Sequence, residues 1–358
     1  MEKVIYLDNN ATTRVDPRVL EEMMPYLMDN YANAASTHEF GSIAHEAVKK
    51  ARTQIADFIS CEVNEIIFTS GATEAINLAI KGVAEAYLDK GKHIVTCLSE
   101  HSAVLDTCKH LEKNGFEITY LPVQKDGLID LELLTKNVRE DTVLVSIMLV
   151  NNETGTIQPI KEIAEVAHAK GIFFMTDATQ AVGKFPINVN EMAIDLMAFS
   201  GHKIYGPKGV GGLYVRGRRP HKVKIGAIIH GGGHEKGLRS GTLNVPGIVG
   251  LGKALEIAKN EMVTDSERIC GLRNYLEEQL LKIENSSVNG STNQRLYNVS
   301  NICFKGADAD AIIIDLKGIA LSNGSACTSA SIEPSHVLKA IGLSDEDAFS
   351  SLRLSLGR

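Results

Sequence analysis

The chain has 358 residues, with 37 Lys and Arg against 44 Asp and Glu, a formal net charge of −7, and 44% hydrophobic residues. That balance excludes electrostatic binding to nucleic acid, which needs a basic face. No run of about 18 apolar residues offers a membrane span, and the opening Met1-Glu2-Lys3-Val4-Ile5-Tyr6-Leu7-Asp8 lacks the apolar stretch of a signal peptide.

The length suggests one large and one small domain, or two of similar size. From residue 65 onward, short β-branched runs alternate with longer amphipathic stretches. Strands are predicted at 65–69, 93–98, 117–121, 143–150, 172–176, 196–200 and 212–216, and helices at 73–87, 102–114, 131–138 and 160–170, the last stopped by Gly171. The 143–150 run, VLVSIMLV, is apolar on both faces, as a central parallel strand requires. This alternation predicts an α/β fold with helices covering a mostly parallel sheet. After Gly247 the pattern changes to helical stretches at 248–259 and 265–283, then strand, helix and strand at 299–304, 307–316 and 319–321. The expected division is a large domain over 15–255 and a smaller α+β domain from 1–14 and 256–358. Six cysteines without a C-x-x-C pair suit reduced thiols in the cytoplasm, and Cys97 and Cys303 lie in apolar runs as core residues do.

Five segments are candidates for chemistry. At Thr69-Ser70-Gly71-Ala72-Thr73-Glu74 a strand turns into a helix, and free N–H groups there make an anion cup, unless Ser70 is an ordinary N-cap. Asp177 follows a strand, at the sheet edge where α/β proteins bind ligands, although it too could cap a helix. Lys203, in Ser200-Gly201-His202-Lys203, stands at another strand end, where partial burial makes a lysine a Schiff-base nucleophile. His230 and His234 are four apart, but Gly231, Gly232 and Gly233 between them forbid the helix a zinc pair needs, so a mobile loop is expected. Cys327 lies in a run of small residues, an accessible setting that a nucleophilic thiol needs and a structural one does not. His101, at a turn, is either a surface histidine or a catalyst. A phosphate cup, an acid and a lysine together are what pyridoxal 5'-phosphate requires, the acid keeping its pyridine nitrogen protonated so that the ring takes up electrons.

Longer motifs recur in order along nearly the whole chain: Tyr6 to Thr13, Thr69 to Glu74, Val150-Asn151-Asn152-Glu153-Thr154-Gly155, Thr176 to Gln180, Ser200 to Gly209, Gly231 to Glu235, Arg239-Ser240-Gly241-Thr242, Gly324 to Ala330 and Leu352 to Leu356. With them the sequence resembles the cysteine desulfurases of iron–sulfur cluster assembly in the class V aminotransferase superfamily, its opening and its Asn151-Asn152-Glu153 segment being most similar to the nitrogenase-associated branch. The resemblance implies a fold type I pyridoxal-phosphate transferase, homodimeric, taking L-cysteine to L-alanine and passing sulfur to an iron–sulfur scaffold protein or another acceptor. It implies that Lys203 carries the cofactor, Asp177 meets the pyridine nitrogen, Gln180 the phenolic oxygen, and His101 stacks on the ring and shuttles protons. Ala72, Thr73, Ser200 and His202 would hold the phosphate, with Thr242 reaching the phosphate of the partner subunit. Asn152 and Arg353 would orient the substrate, and Cys327 would accept the sulfur and serve as a transient iron–sulfur ligand with a scaffold. A selenocysteine lyase of the same superfamily and a non-catalytic sulfur-transfer scaffold are the alternatives. Residues 33–36, Asn-Ala-Ala-Ser, depart from the family's usual Asn-Pro-Ser-Ser.

Overall fold

The computed structural model describes residues 4–323 and 333–358. Two helices precede every element expected from the sequence: α1 (Pro17–Met28), capped by Asp16, and α2 (Glu39–Ile59), capped by the His38 ring. Between them, Ala35 N donates to Asn33 Oδ1 at 2.9 Å, so an Asx turn supplies the local restraint that a proline would otherwise give. The short β1 (Ile5–Tyr6) lies ahead of both helices.

Seven strands then form the main sheet: β2 (Ile66–Thr69), β3 (His93–Cys97), β4 (Glu117–Leu121), β5 (Thr142–Ser146), β6 (Phe173–Asp177), β7 (Leu196–Ser200) and β8 (Gly211–Val215). Their order is β2-β8-β7-β6-β5-β3-β4, and only β8 runs against its neighbours. The crossovers carry α3 (Ala72–Ala86), α4 (Ser102–Glu112), α5 (Leu131–Asn137) and α6 (Ile160–Ala169). One apolar cluster packs a sheet face on α2, α6 and the later α7, and another packs the opposite face on α3 and α4.

Two expectations are corrected. The 143–150 run is not one strand, because β5 ends at Ser146. Residues 147–150 continue, buried and extended, along the end of β6, with Leu149 N bonding Asp177 O at 3.0 Å; their apolarity reflects burial rather than a longer ladder. The two helical stretches after Gly247 are one helix, α7 (Val245–Leu280), of 36 residues. No Gly or Pro interrupts 260–264, so nothing in the sequence breaks it. A second sheet follows, built from β9 (Ser286–Val288), β10 (Val299–Phe304) and β12 (Ser351–Ser355), while β11 (Ile319–Ala320) pairs in parallel with β1. The small helices α8 (Ala309–Asp315), α9 (His336–Ala340) and α10 (Asp345–Phe349) complete the chain. Among the described residues, no helix is long and apolar enough to cross a membrane. Cys97 and Cys303 are buried, as expected of core residues.

Where β8 passes under the turn after β2, Gly211 leaves no room for a side chain: a Cβ there would lie 2.5 Å from Phe199 O and 2.7 Å from Gly71 Cα. Gly211→Ala is expected to cost about 2 kcal/mol through overpacking, seen as a lower thermal midpoint, and to displace Gly71.

Candidate functional site

The C-terminal ends of β2, β3, β5, β6 and β7 all open on one edge of the sheet, the edge at which α/β folds bind ligands. The segments leaving them line a cavity of about 600 Å³. Ala72, Thr73, His101, Asn152, Asp177, Gln180, Ser200, His202, Lys203 and Arg353 all line it. Thr242 does not; it is exposed and borders a separate cleft beside Tyr26 and Tyr31. Cys327 lies outside the described residues.

The turn after β2 is built for an anion. The N-cap of α3 is Gly71 rather than Ser70; at φ 157° it adopts a conformation that favours glycine, and no side chain caps the helix. Ser70 N instead donates to Glu74 Oε2 at 2.9 Å. The first-turn amides of α3 therefore face the cavity without a side-chain acceptor, the state in which a helix N-terminus takes a phosphate. Glu74, the one acid in that turn, is offset by Arg239, whose Nε donates to Glu74 Oε1 at 2.7 Å. His202 bonds Thr12 Oγ1 through Nδ1 at 3.1 Å. Burial, and then the charges of Lys203, Lys208 and Lys184, push its pKa down to about 4, so it is neutral at pH 7.

Lys203 sits in the 3₁₀ turn that follows β7, and its Nζ donates to the backbone oxygens of Asn10 and Ala11, the latter at 2.8 Å. Asp177 is the last residue of β6; one carboxylate oxygen accepts from Thr179 N at 2.9 Å and from the Thr179 hydroxyl. His101 caps α4, its Nδ1 accepting from Ala103 N at 3.1 Å, which places the proton of the neutral ring on Nε2. Gln180 donates from Nε2 to Asn10 O at 2.9 Å and accepts at Oε1 from Lys184 Nζ at 3.1 Å.

At the far end of the cavity, Arg353 on β12 pairs with Asp8 at 2.8 Å and donates to Asn152 O at 3.1 Å. Arg353 Nε and Asn152 Oδ1 are buried without a hydrogen-bond partner, as in a site shaped for a polar ligand. Arg353 also ties down the chain just before the undescribed segment: its backbone N donates to Ser322 O at 2.7 Å. Just beyond that segment, Ser335 Oγ donates to Glu153 and His336 bonds Glu100 O at 2.8 Å.

Sequence alone gives no role to Asp8, Asn10, Glu100, Glu153, Lys184, Ser335 or His336. Glu100, fully buried, accepts from Met148 N, and burial followed by the charge of Asp177 raises its pKa well above the carboxylate range. Burial likewise raises that of Glu153. For Lys184 a signal existed, a lysine four residues after Gln180 in an otherwise apolar turn. The His230–His234 segment is a loop, held at one end by a half-buried ion pair between Glu235 and Arg52 at 2.6 Å.

The residues present fit pyridoxal 5'-phosphate: an uncapped helix start for the phosphate, a lysine and an acid on neighbouring strand ends, and a cavity large enough for the ring. Comparison with known proteins agrees. Residues 5–358 match the aminotransferase class-V family model. The chain is 56% identical over 361 residues to the cysteine desulfurase IscS of Escherichia coli O139:H28 (strain E24377A / ETEC), covering all of this chain and 89% of that protein. Among solved structures, it resembles a NifS-like protein at TM-score 0.92 and 40% identity, covering 99% of this chain and 93% of the other. It also resembles SspA in complex with cysteine at TM-score 0.89 and 41% identity, covering 98% of each chain.

The buried Lys184 makes stability depend on pH. Burial, and then the charges of Lys203 and Arg353, lower its pKa from 10.5 to about 7. Between those values the unfolded chain binds more protons, so this group's contribution to stability rises with pH across the window and is lost as pH falls toward 7. Lys184→Met is therefore expected to raise the thermal midpoint more at pH 6.5 than at pH 9, measured as the gap between the variant and parent melting curves.

Proposed function

The chain belongs to the class-V aminotransferase family, and from that premise we propose that it is a pyridoxal-5'-phosphate-dependent cysteine desulfurase, converting L-cysteine to L-alanine and leaving the sulfur as a persulfide on Cys327. The observation that carries the reading is the convergence of Lys203, Asp177 and the uncapped start of α3 on one cavity.

When bound, the cofactor supplies an electron sink for the charge released at the substrate carbon. In this reading Lys203 would hold it covalently, Asp177 would pair with its ring nitrogen and Gln180 with its phenolic oxygen. His101 would stack on the ring, and Ala72 N, Thr73, Ser200 and His202 would hold the phosphate. Arg353 and Asn152 orient the substrate, with the guanidinium directed at its carboxylate. Lys203 and His101 are the groups that take and return the proton at the substrate Cα. The Cys327 thiolate bonds to the substrate sulfur as the carbon–sulfur bond breaks. The electron pair of that bond goes to the substrate Cβ, which takes up one proton to become the methyl group of alanine, while the proton taken from Cα is returned there. Support for Cys327 comes from the chain on either side of it: Ser322 is paired to Arg353, and Ser335 to Glu153, both at the cavity.

Several finer points belong to the same proposal. The division into 15–255 and 1–14 with 256–358 is supported by the separate sheets and the separate small core of Ile302, Ala309, Leu352 and Leu354. A homodimer is supported by the exposed apolar stripe of Leu20, Met24, Leu27 and Met28 on α1, continued by Tyr31. Thr242 borders the same region, as a residue reaching a partner's phosphate would. A cytoplasmic location suits the five described cysteines, all free. The sulfur acceptor would be an iron–sulfur scaffold or another thiol protein, with Cys327 a transient cluster ligand.

Cys327→Ala is expected to lower alanine formation from L-cysteine, assayed with a reductant, by at least about a hundredfold while keeping the visible absorbance of the bound cofactor. Sulfide release at the parent rate would show the nucleophile to be wrongly assigned. Lys203→Ala should abolish the covalent link, measured as loss of the visible band and of a borohydride-fixed adduct.

A further inference from the structure

Lys184 is a costly residue where it stands. Its side chain is buried, with only 6% of the residue exposed. The charges acting most on it, those of Lys203 and Arg353, both repel it. On its other side it meets Tyr205, Asp265, Tyr297 and Arg358 around a cleft of only about 10 Å³. An apolar side chain of similar volume would avoid the cost of burying an amine. Among the described residues, the one hydrogen bond its Nζ makes goes to Gln180 Oε1, at 3.1 Å.

That bond has a specific geometric effect. Residues 177–184 leave β6 in successive turns closed by Val182 N to Ala178 O and Lys184 N to Ala181 O, both 2.9 Å, and with Gly183 at φ 78° this irregular path brings the Lys184 amine back onto the Gln180 amide. A glutamine amide can sit in two orientations that differ only in which end is oxygen. With Lys184 on one side and the Asn10 carbonyl on the other, only one orientation satisfies both neighbours: Oε1 toward the amine, Nε2 toward Asn10 O. The reverse would set oxygen against oxygen at Asn10 and turn an acceptor toward the cavity. Asn10 O also accepts from Lys203 Nζ, so one chain of hydrogen bonds joins Lys184 to the lysine of the site.

We propose that Lys184 is a positioning residue of the cofactor site, whose amino group locks the Gln180 amide with its donor side toward Asn10 and the cavity. The proposal rests on the reading of the site given above, and it assigns Lys184 an action through Gln180 alone. A donor held there stabilises the negative phenolic oxygen of a bound cofactor; an amide released to flip does so only part of the time.

The test is a double-mutant cycle on the protein loaded with pyridoxal 5'-phosphate and without substrate: parent, Lys184→Met, Gln180→Ala and the double variant. The pH midpoint of the visible band and the dissociation constant for pyridoxal 5'-phosphate are read for each, beside the melting curve of the cofactor-free protein. Lys184→Met is expected to move the midpoint by about one pH unit and to weaken binding about tenfold, with most of both effects gone in the Gln180→Ala background. Lys184→Gln, which keeps an N–H donor, should fall closer to the parent and serves if the methionine variant does not fold. Equal shifts in both backgrounds, or a changed melting curve with an unchanged spectrum, overturn the proposal in favour of a packing role. A parent that gains no visible band with pyridoxal 5'-phosphate overturns the site reading itself; a parent that gains one, with Lys184 uncoupled from Gln180, overturns only the role of Lys184.

Discussion

The backbone oxygen of Asn10 accepts from both Lys203 Nζ and Gln180 Nε2, and the rest of Asn10 is spent on holding that oxygen in place. Its N–H donates to Ser355 Oγ at 2.9 Å, its Nδ2 to Asn152 O at 3.2 Å, and its Oδ1 accepts from Asn298 at 3.1 Å. Partners thus come from the main sheet, from the segment after β5 and from the second sheet. Thr13 adds two more ties, its hydroxyl donating to His202 O and accepting from Tyr205 N. A stretch near the start of the chain is the clamp through which the two sheets share one cavity.

Around that clamp, burial sorts the charges. Burial raises the pKa of Glu100 well above its ordinary value and raises that of Glu153, and His202 is kept neutral beside three lysines. Lys203 and Arg353, together with the helix start at Ala72, leave a site whose exposed electrostatics favour anions. A phosphate and a carboxylate are the anions that the proposed chemistry brings there. Of the acids that line it, Glu74 in the first turn of α3 is offset by Arg239.

Much of this was legible in the sequence, for identifiable reasons. The parallel strands from β2 to β7 were readable because buried strands are apolar throughout and the crossover helices are amphipathic. Asp177 and Lys203 were found because strand ends are where such folds place their chemistry. What escaped depends on contacts between distant parts of the chain. The setting of Gly71 involves the close approach of Gly211, a residue 140 positions away, and not only the residues around it. The end of β5 at Ser146 is not announced by its own run, because residues 147–150 are buried and apolar like the strand before them. Asn10 acts through a main-chain oxygen, which no residue type advertises, and the roles of Lys184 and Glu100 come from their burial. The helices α1 and α2 carry no chemistry and were passed over, although Asp16-Pro17 is a good helix start.

The uninterrupted α7 has a mechanical consequence. At 1.5 Å per residue, its 36 residues form a rod roughly 54 Å long. Its first half is packed into the main core, while Leu276 and Leu280 near its end touch the small one. A strut of that kind denies the two sheets a hinge where the sequence suggested a domain boundary. With Asn10 bonded to Ser355, Asn152 and Asn298, the two sheets are tied together at the cavity as well as along the rod, so the site is braced from two sides.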